Sequence, residues 1–367
     1  MTGPGDGALI ALAAGGTGGH MFPAEALAQE LRRRGRRILL VTDERGARYA
    51  QNFPEDDRIL ISAASPSIGG VVAKAIAAVS IAGGLFKALA EFKKRDVTAA
   101  VGFGGYPSFI GAKAAAMMRI PYGVHEQNGV LGRANRQLAG SARFTAHAFS
   151  VLEKAPARAN LIEVGNPVRD AVKAAAETPY PAISDDSVLN ILIFGGSQGA
   201  SLFSGAPPNV IAALPEPIRA RLHVTHQARE GEADAVRAIY KEAGVAQEVA
   251  PFFTDLPARI AAAHLVMARA GASTVTELSL IGRPSILTPL AIAMDDHQTG
   301  NARVLSEAGG AIVLPEKEFT EEALKAALTP LLAEPARLTE MAARAKGRVR
   351  EGAAAALADL VEGIARR

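Results

Sequence analysis

A short glycine-rich pattern occurs twice in this chain, and each copy follows an apolar run. Gly15-Gly16-Thr17-Gly18-Gly19 comes after Ala8–Ala14, and Gly195-Gly196-Ser197-Gln198-Gly199 comes after Val188–Phe194, so both fit Gly-Gly-[Ser/Thr]-x-Gly. A glycine turn between a buried strand and a helix exposes backbone N–H groups at the positive end of the helix dipole, which suits an anion. Two copies predict two domains of like construction, each a doubly wound α/β sheet with its glycine turn at the carboxyl end of its first strand, where such sheets bind ligands. Neither copy is a dinucleotide fingerprint: Met21 stands where Gly16-x-Gly18 would need a third glycine, and the second copy has no Gly-x-Gly. No Gly-Lys-Ser/Thr follows either copy, which excludes a Walker loop. For each loop taken alone, a turn that serves only strand-helix packing stays open.

Short apolar runs alternate with helical patterns along both halves, the signal for βα units and a mostly parallel sheet. Arg37–Thr42, Val97–Gly102 and Pro121–His125 read as further strands of the first half, with helices near Phe22–Arg34, Gly70–Lys94 and Pro107–Met118. In the second half, strands are expected near Leu222–His226, Glu248–Pro251, His264–Met267, Pro284–Thr288 and Ala311–Leu314. A proline-bearing stretch from Glu163 to Ser187 reads as the linker, giving domains 1–166 and 167–367.

Composition narrows the function classes. With 49% hydrophobic residues over 367 positions the chain is long and apolar enough for two cores, which excludes disorder. The absence of cysteine excludes a disulfide scaffold, a thiolate metal site and a cysteine nucleophile. Met1–Ile10 lacks the basic and apolar regions of a secretory signal, so a cytoplasmic protein is expected. Residues 1–166 carry 20 Lys+Arg against 13 Asp+Glu, and 167–367 carry 20 against 24, making the halves +7 and −4. A basic half attracts anions such as a membrane surface or a phosphorylated substrate. Nucleic acid is disfavoured, because Trp is absent, only five Tyr are present and no stacking signature occurs.

Several polar groups fall on the same strand-end rim. His20 opens the first helix, and an imidazole that titrates near neutrality suits proton removal from a hydroxyl. A helix-start histidine bonded to nearby backbone is the competing reading. Gly102–Ser108 forms a third glycine-rich loop, and His125-Glu126-Gln127-Asn128 ends the next strand; Glu126 and His125 are the next candidates for the base. In the second half, Arg269–Thr274 precedes a helix bearing Glu277, and Asp295–Ala302 opens another. Ser273 or Thr274 can serve simply as a helix cap. Arg169 is a cation near the linker that can meet a phosphate bidentately or stand as an ordinary surface residue. No Asp-x-Asp occurs and the histidines are not clustered, so neither a metal nor another cofactor is expected. Between Pro66 and Arg95 an apolar segment with Lys74, Lys87 and a Lys93-Lys94-Arg95 end has at most 12 uncharged residues in a row, Ala75–Phe86. Spanning a bilayer takes about 20, so this segment reads either as an interfacial helix on an anionic membrane or as a buried helix with a solvated end.

Taken in order, Gly15–Pro23, Gly102–Ser108, His125–Asn128, Gly165–Arg169, Gly195–Ala200, Arg269–Glu277 and Asp296–Ala302 resemble the MurG family of bacterial N-acetylglucosaminyltransferases over almost the whole chain. The resemblance implies a GT-B fold, two Rossmann-like domains across a cleft, with the last helix crossing back to the first domain. It implies inverting transfer of GlcNAc from UDP-GlcNAc to the muramyl 4-hydroxyl of lipid I, giving lipid II and UDP in peptidoglycan synthesis. It further implies peripheral attachment to the cytoplasmic face of the inner membrane and partners among cell-wall synthesis proteins. Residue by residue, His20 becomes the candidate base and Thr17, Gly18 and Gly19 the first phosphate-proximal loop. Asn128 falls to the donor sugar, and Arg169 and Ser197 with its neighbour Gln198 fall to the diphosphate. Main chain at Phe253 falls to the uracil edge, where an aliphatic residue is more usual. Glu277 falls to the ribose, Gln298 to the GlcNAc hydroxyls, and Ala272, Ser273 and Thr274 to substrate binding. A related enzyme with another lipid acceptor, a UDP-GlcNAc 2-epimerase and a non-catalytic membrane module remain the alternatives.

Overall fold

The computed structural model describes residues 7–62, 71–184, 186–196, 201–290 and 297–365, with the backbone alone for 71–78. The chain divides into two compact units, Met1–Arg169 with Arg350–Arg367, and Asp170–Val349.

The first unit is built on a seven-stranded parallel sheet: β1 (Leu9–Ala13), β2 (Arg37–Thr42), β3 (Asp57–Leu60), β4 (Val97–Gly102), β5 (Tyr122–Glu126), β6 (Thr145–His147) and β7 (Leu161–Glu163), in the order β3-β2-β1-β4-β5-β6-β7. Five helices connect them: α1 (Gly18–Arg33), α2 (Glu44–Ala47), α3 (Val71–Arg95), α4 (Gly105–Met117) and α5 (Arg133–Ala139). Strand β1 is buried on both faces, and its side chains alternate between two cores. Leu9, Ala11 and Ala13 join Phe92 of α3 and Ile110 of α4, whereas Ile10 and Leu12 join Met21, Leu27 and Leu31 of α1. The sequence pattern misses β3, β6 and β7, which are three or four residues long and show no period. Helix α1 starts at Gly18, earlier than the expected Phe22, because Thr17 is already extended at φ −142 and caps it.

The second unit repeats the plan with six parallel strands: β8 (Leu189–Phe194), β9 (Leu222–Gln227), β10 (Ala246–Ala250), β11 (Leu265–Ala268), β12 (Ser285–Leu287) and β13 (Ala311–Val313), in the order β10-β9-β8-β11-β12-β13. Its helices are α6 (Asp170–Ala176), α7 (Ser201–Ala212), α8 (Glu216–Arg219), α9 (Glu230–Glu242), α10 (Leu256–Ala262), α11 (Ala272–Ile281), α12 (His297–Ser306), α13 (Glu321–Ala333) and α14 (Ala336–Ala345). On α9 the buried residues Ala233, Val236 and Tyr240 recur at helical spacing and face Ile191, Ile193 and Val224 of the sheet. In both units the first strand lies between its second and its fourth, so the strand order reverses beside β1 and beside β8. Loops at such reversals frame a crevice at the strand carboxyl ends.

Two devices complete the units. Arg283 is fully buried and donates to the carbonyls of Ala261, Ile281, Gly282, Thr178 and Pro179, which straps the linker to the second unit. Burial lowers its guanidinium to about 10, and the five acceptors replace the water it gives up. The final helix, α15 (Ala353–Ile364), belongs to the first unit: Leu357, Ala358 and Val361 pack into the core that α1 lines. Arg34 reaches Asp359 at 2.6 Å and Glu362 at 2.9 Å, and Arg36 reaches Glu362 at 2.7 Å. Truncating Leu357 to Ala would cost about 2–5 kcal/mol, the usual range for a buried leucine.

Candidate functional site

In the first unit, the turn after β1 is held from the neighbouring strand. Asp43, just past β2 and 1% exposed, accepts the Gly16 N–H at 3.0 Å and the Gly46 N–H at 2.7 Å through Oδ1. A Cβ on Gly15 would lie 2.5 Å from Pro107 and 2.8 Å from Asp43 Oδ1, and Gly16 has φ +82, so neither position takes a side chain without strain. Thr17 makes no side-chain cap bond, and Gly18 and Gly19 form the first turn of α1. Next comes His20, whose Nδ1 lies 2.9 Å from the Gly15 carbonyl. A carbonyl only accepts, so Nδ1 carries the proton and Nε2 holds the basic lone pair. The loop after β4 closes on this ring: a Cβ on Gly104, at φ +99, would sit 2.9 Å from His20 Nε2.

The end of β5 builds a turn. His125 is buried, pairs through Nε2 with the Gly165 carbonyl at 3.0 Å, and lies against Phe103. Burial pushes its imidazole down to about 4, so it is neutral near pH 7. The Glu126 carboxylate accepts the Asn128 N–H and Nδ2–H at 3.1 Å each, the Gly132 N–H at 2.9 Å and Asn135 Nδ2–H at 3.0 Å. It thereby orders the turn that presents Asn128. These contacts give His125 and Glu126 structural work, and the His20–Gly15 bond is the backbone contact that the competing reading of a helix-start histidine expects. Arg169 stacks its guanidinium 3.9 Å from the centre of the Phe22 ring, so it stands over the helix that carries His20.

In the second unit, Gly195 and Gly196 follow β8, and Gly196 has the φ of +82 seen at Gly16. Ser197 and Gln198 lie outside the described residues. After β10, Phe253 is buried under the Arg259 guanidinium, whose Cζ is 4.2 Å from the ring centre, while Phe252 is exposed. After β11, Arg269 is buried and donates to the Thr288 and Pro289 carbonyls and to Glu316 at 2.9 Å. It holds the ends of β11 and β12 together. Gly271 caps α11, whose first turns carry Ala272, Ser273, Thr274 and the buried Glu277. Asn301 of α12 donates to the Ala270 carbonyl at 3.1 Å, and Gln298 accepts the Leu290 N–H at 3.0 Å. The start of α12 is therefore tied to the loops after β11 and β12.

Within each unit, the described members of the sequence-derived set gather at the strand carboxyl ends. Asp43 and Gln227 were missed by sequence reasoning. Each stands at the end of the second strand of its unit and anchors the glycine turn after the first strand, a long-range pairing that no local sequence signal marks. Among the described residues no cluster of three His, Asp or Glu is arranged to hold a metal.

Comparison with known proteins fixes the class. The profile of the glycosyltransferase family 28 N-terminal domain matches residues 10–146, and that of the family 28 C-terminal domain matches residues 190–359. A UDP-N-acetylglucosamine–N-acetylmuramyl-(pentapeptide) pyrophosphoryl-undecaprenol N-acetylglucosamine transferase of Methylobacterium sp. (strain 4-46) is 49% identical over 356 residues, 96% of each chain. The enzyme of the same name from Caulobacter vibrioides (strain NA1000 / CB15N) is 49% identical over 360 residues, 98% of this chain and 99% of its own. The crystal structure of Acinetobacter baumannii MurG superposes with a TM-score of 0.77 at 30% identity, covering 97% of this chain and 99% of that one. The chain belongs to the MurG family. Like other MurG chains it is a hexosyltransferase of the GT-B fold class, as expected from the ordered motifs.

Proposed function

We propose that this chain moves GlcNAc from UDP-GlcNAc to the muramyl 4-hydroxyl of lipid I, releasing lipid II and UDP in peptidoglycan synthesis. The observation that carries the reading is the His20 imidazole, held at the carboxyl end of β1 in its Nδ1–H form by the Gly15 carbonyl, in a chain of this family. Its Nε2 takes the proton of the 4-hydroxyl as that oxygen bonds to the anomeric carbon. The bond from that carbon to the β-phosphate oxygen breaks, and UDP leaves with the electron pair. Inversion follows because attack and departure occupy opposite faces. Thr17, Gly18 and Gly19 line the approach to His20, and Asn128, fixed by Glu126, meets the donor sugar. Arg169 and Ser197, with Gln198 beside it, take the diphosphate charge; such donors aimed at developing charge are the largest usual contribution to rate. Main chain at Phe253 holds the uracil edge. Glu277, with Ala272, Ser273 and Thr274 at the same helix start, holds the ribose, and Gln298 holds the GlcNAc hydroxyls. Labelled UDP-GlcNAc and a lipid I analogue should yield a labelled disaccharide lipid. A folded sample that forms none in detergent or in membranes overturns the reading, and turnover of UDP-GlcNAc without lipid would point to an epimerase.

We further infer peripheral attachment to the cytoplasmic face of the membrane. Among the described residues no helix is long and apolar enough to cross a bilayer. On α3, Val79 and Phe86 are 74% and 73% exposed, and the helix ends in Lys93, Lys94 and Arg95. Exposed apolar groups beside a cationic end suit an anionic surface. Residues 66–70 and the Lys74 side chain lie outside the described residues. Liposomes with anionic lipid should float the protein, less so at high salt. Flotation indifferent to both lipid charge and salt counts against the inference.

A further inference from the structure

Gln227 is the last residue of β9, and β9 lies between β8 and β10. Its backbone closes the ladder on one side by pairing with Ala250, while its predecessor His226 pairs with Ile193 on the other. Beyond those pairs the side chain continues the connection. Its Oε1 accepts the Gly195 N–H at 3.2 Å, and its Nε2 donates to the Pro251 carbonyl at 3.1 Å. The residue is only 7% exposed, so water competes weakly for either bond. Gly195 begins the loop after β8 and Pro251 begins the loop after β10. One planar amide, donating at one end and accepting at the other, thus ties two loops at a set spacing.

We propose that Gln227 is a positioning residue that fixes the distance between the diphosphate and base subsites of the nucleotide donor. This rests on the donor reading above, in which the loop after β8 takes the diphosphate and the loop after β10 takes the uracil. Gln227 reaches the ligand only through Gly195 and Pro251. A ligand gripped at both ends gains most when the two grips are spaced in advance, because it then spends no binding energy on aligning them. Removing the tie leaves each grip in place and loosens their spacing. Ligands that occupy both subsites then lose affinity, and a ligand that occupies one does not.

The test uses the full chain carrying Gln227→Met, which keeps the length and loses both bonds, and Gln227→Glu, which keeps an acceptor for Gly195 but turns an oxygen toward the Pro251 carbonyl. Calorimetry gives Kd for UDP and, by competition, for uridine; steady-state assays give KM for UDP-GlcNAc and kcat. The expected result for the Met variant is a rise of about 5- to 30-fold in Kd for UDP and in KM, the equivalent of one or two hydrogen bonds. Uridine affinity should stay within about twofold and kcat at saturating donor within about threefold. The Glu variant should show at least the same UDP loss at pH 7.5, because its carboxylate also adds negative charge beside the loop that takes the diphosphate. Equal losses for uridine and UDP, or no loss for either, overturn the inference. If the Met variant does not fold, the same comparison in Gln227→Leu decides. Wild-type protein that binds no UDP overturns the donor assignment itself, whereas wild-type binding matched by the variants overturns only the role of Gln227.

Discussion

The turns after β1 and after β8 share a five-residue pattern and a glycine at φ +82, yet they are anchored by groups of different charge. Behind the first stands the buried carboxylate of Asp43, offset by Arg45 at 3.5 Å; behind the second stands the neutral amide of Gln227. The matched glycines of positive φ stand alike: a Cβ on Gly16 would meet only Arg45 Nη2 at 3.8 Å, and one on Gly196 would meet nothing within 4 Å among the described residues. A carboxylate behind a turn disfavours a second anion there and favours a polarised hydroxyl or a cation. A neutral amide leaves the field to the N–H groups and the helix dipole, which favours phosphate. The pattern specifies the shape of the turn, and its buried anchor specifies the charge that the turn tolerates.

The largest expected effect falls on the first turn. His20→Ala should lower kcat by about 100- to 10,000-fold while UDP binding persists, since a positioned base contributes on that order. Turnover near wild type would move the proton transfer elsewhere. Next, Asp43→Leu strands two N–H groups and should cost about 2–4 kcal/mol in urea unfolding, whereas Asp43→Asn keeps an acceptor and should stay within about 1 kcal/mol of wild type. Equal losses in the two variants would show that packing, and not the hydrogen bonds, makes this anchor. The glycines sharpen the contrast. Gly104→Ala pushes a methyl group against His20 at a positive φ and should cut kcat by about 10- to 100-fold with donor affinity unchanged. Gly196→Ala meets no neighbour among the described residues, and its backbone penalty of about 1–2 kcal/mol should appear in UDP affinity and not in kcat. If the two variants exchange these signatures, the division of labour between the turns is wrong.

One effect is common to both units. His125 in the first and His226 in the second are buried, and burial holds each imidazole near 4 against an ordinary 6.5. Folded protein therefore refuses a proton that the unfolded chain accepts. Stability present above pH 6.5 declines as pH falls toward 4, by about 2 kcal/mol per histidine at pH 5. Urea unfolding at pH 7 and pH 5 should show this slope, and His226→Asn should remove its share of the slope whatever it does to stability at pH 7.

How much of this was legible beforehand follows from what each signal depends on. The long strands β1, β4 and β8 are continuous apolar runs, so they are visible without a structure. Strands β6 and β7 have three residues each and owe their existence to neighbours already in the sheet. In the site, His20, Asn128 and Glu277 sit inside motifs, so spacing along the chain finds them. Asp43 and Gln227 act across strands, on glycines that are 27 and 32 positions away in sequence, and no local pattern carries that pairing. The role of Glu126 was likewise hidden, because its four donors come from a turn and from α5, whose paths only the fold defines.

Helix α15 closes the hydrophobic face that α1 presents, although the whole second unit separates them along the chain. During synthesis at about 5–20 residues per second, Leu27 and Leu31 must therefore wait roughly 15 to 65 seconds for Leu357 and Val361 to emerge from the ribosome. The nascent first unit spends that interval as a client for chaperones, and a circular permutant that begins at Arg350 and is rejoined ahead of β1 would be spared the delay.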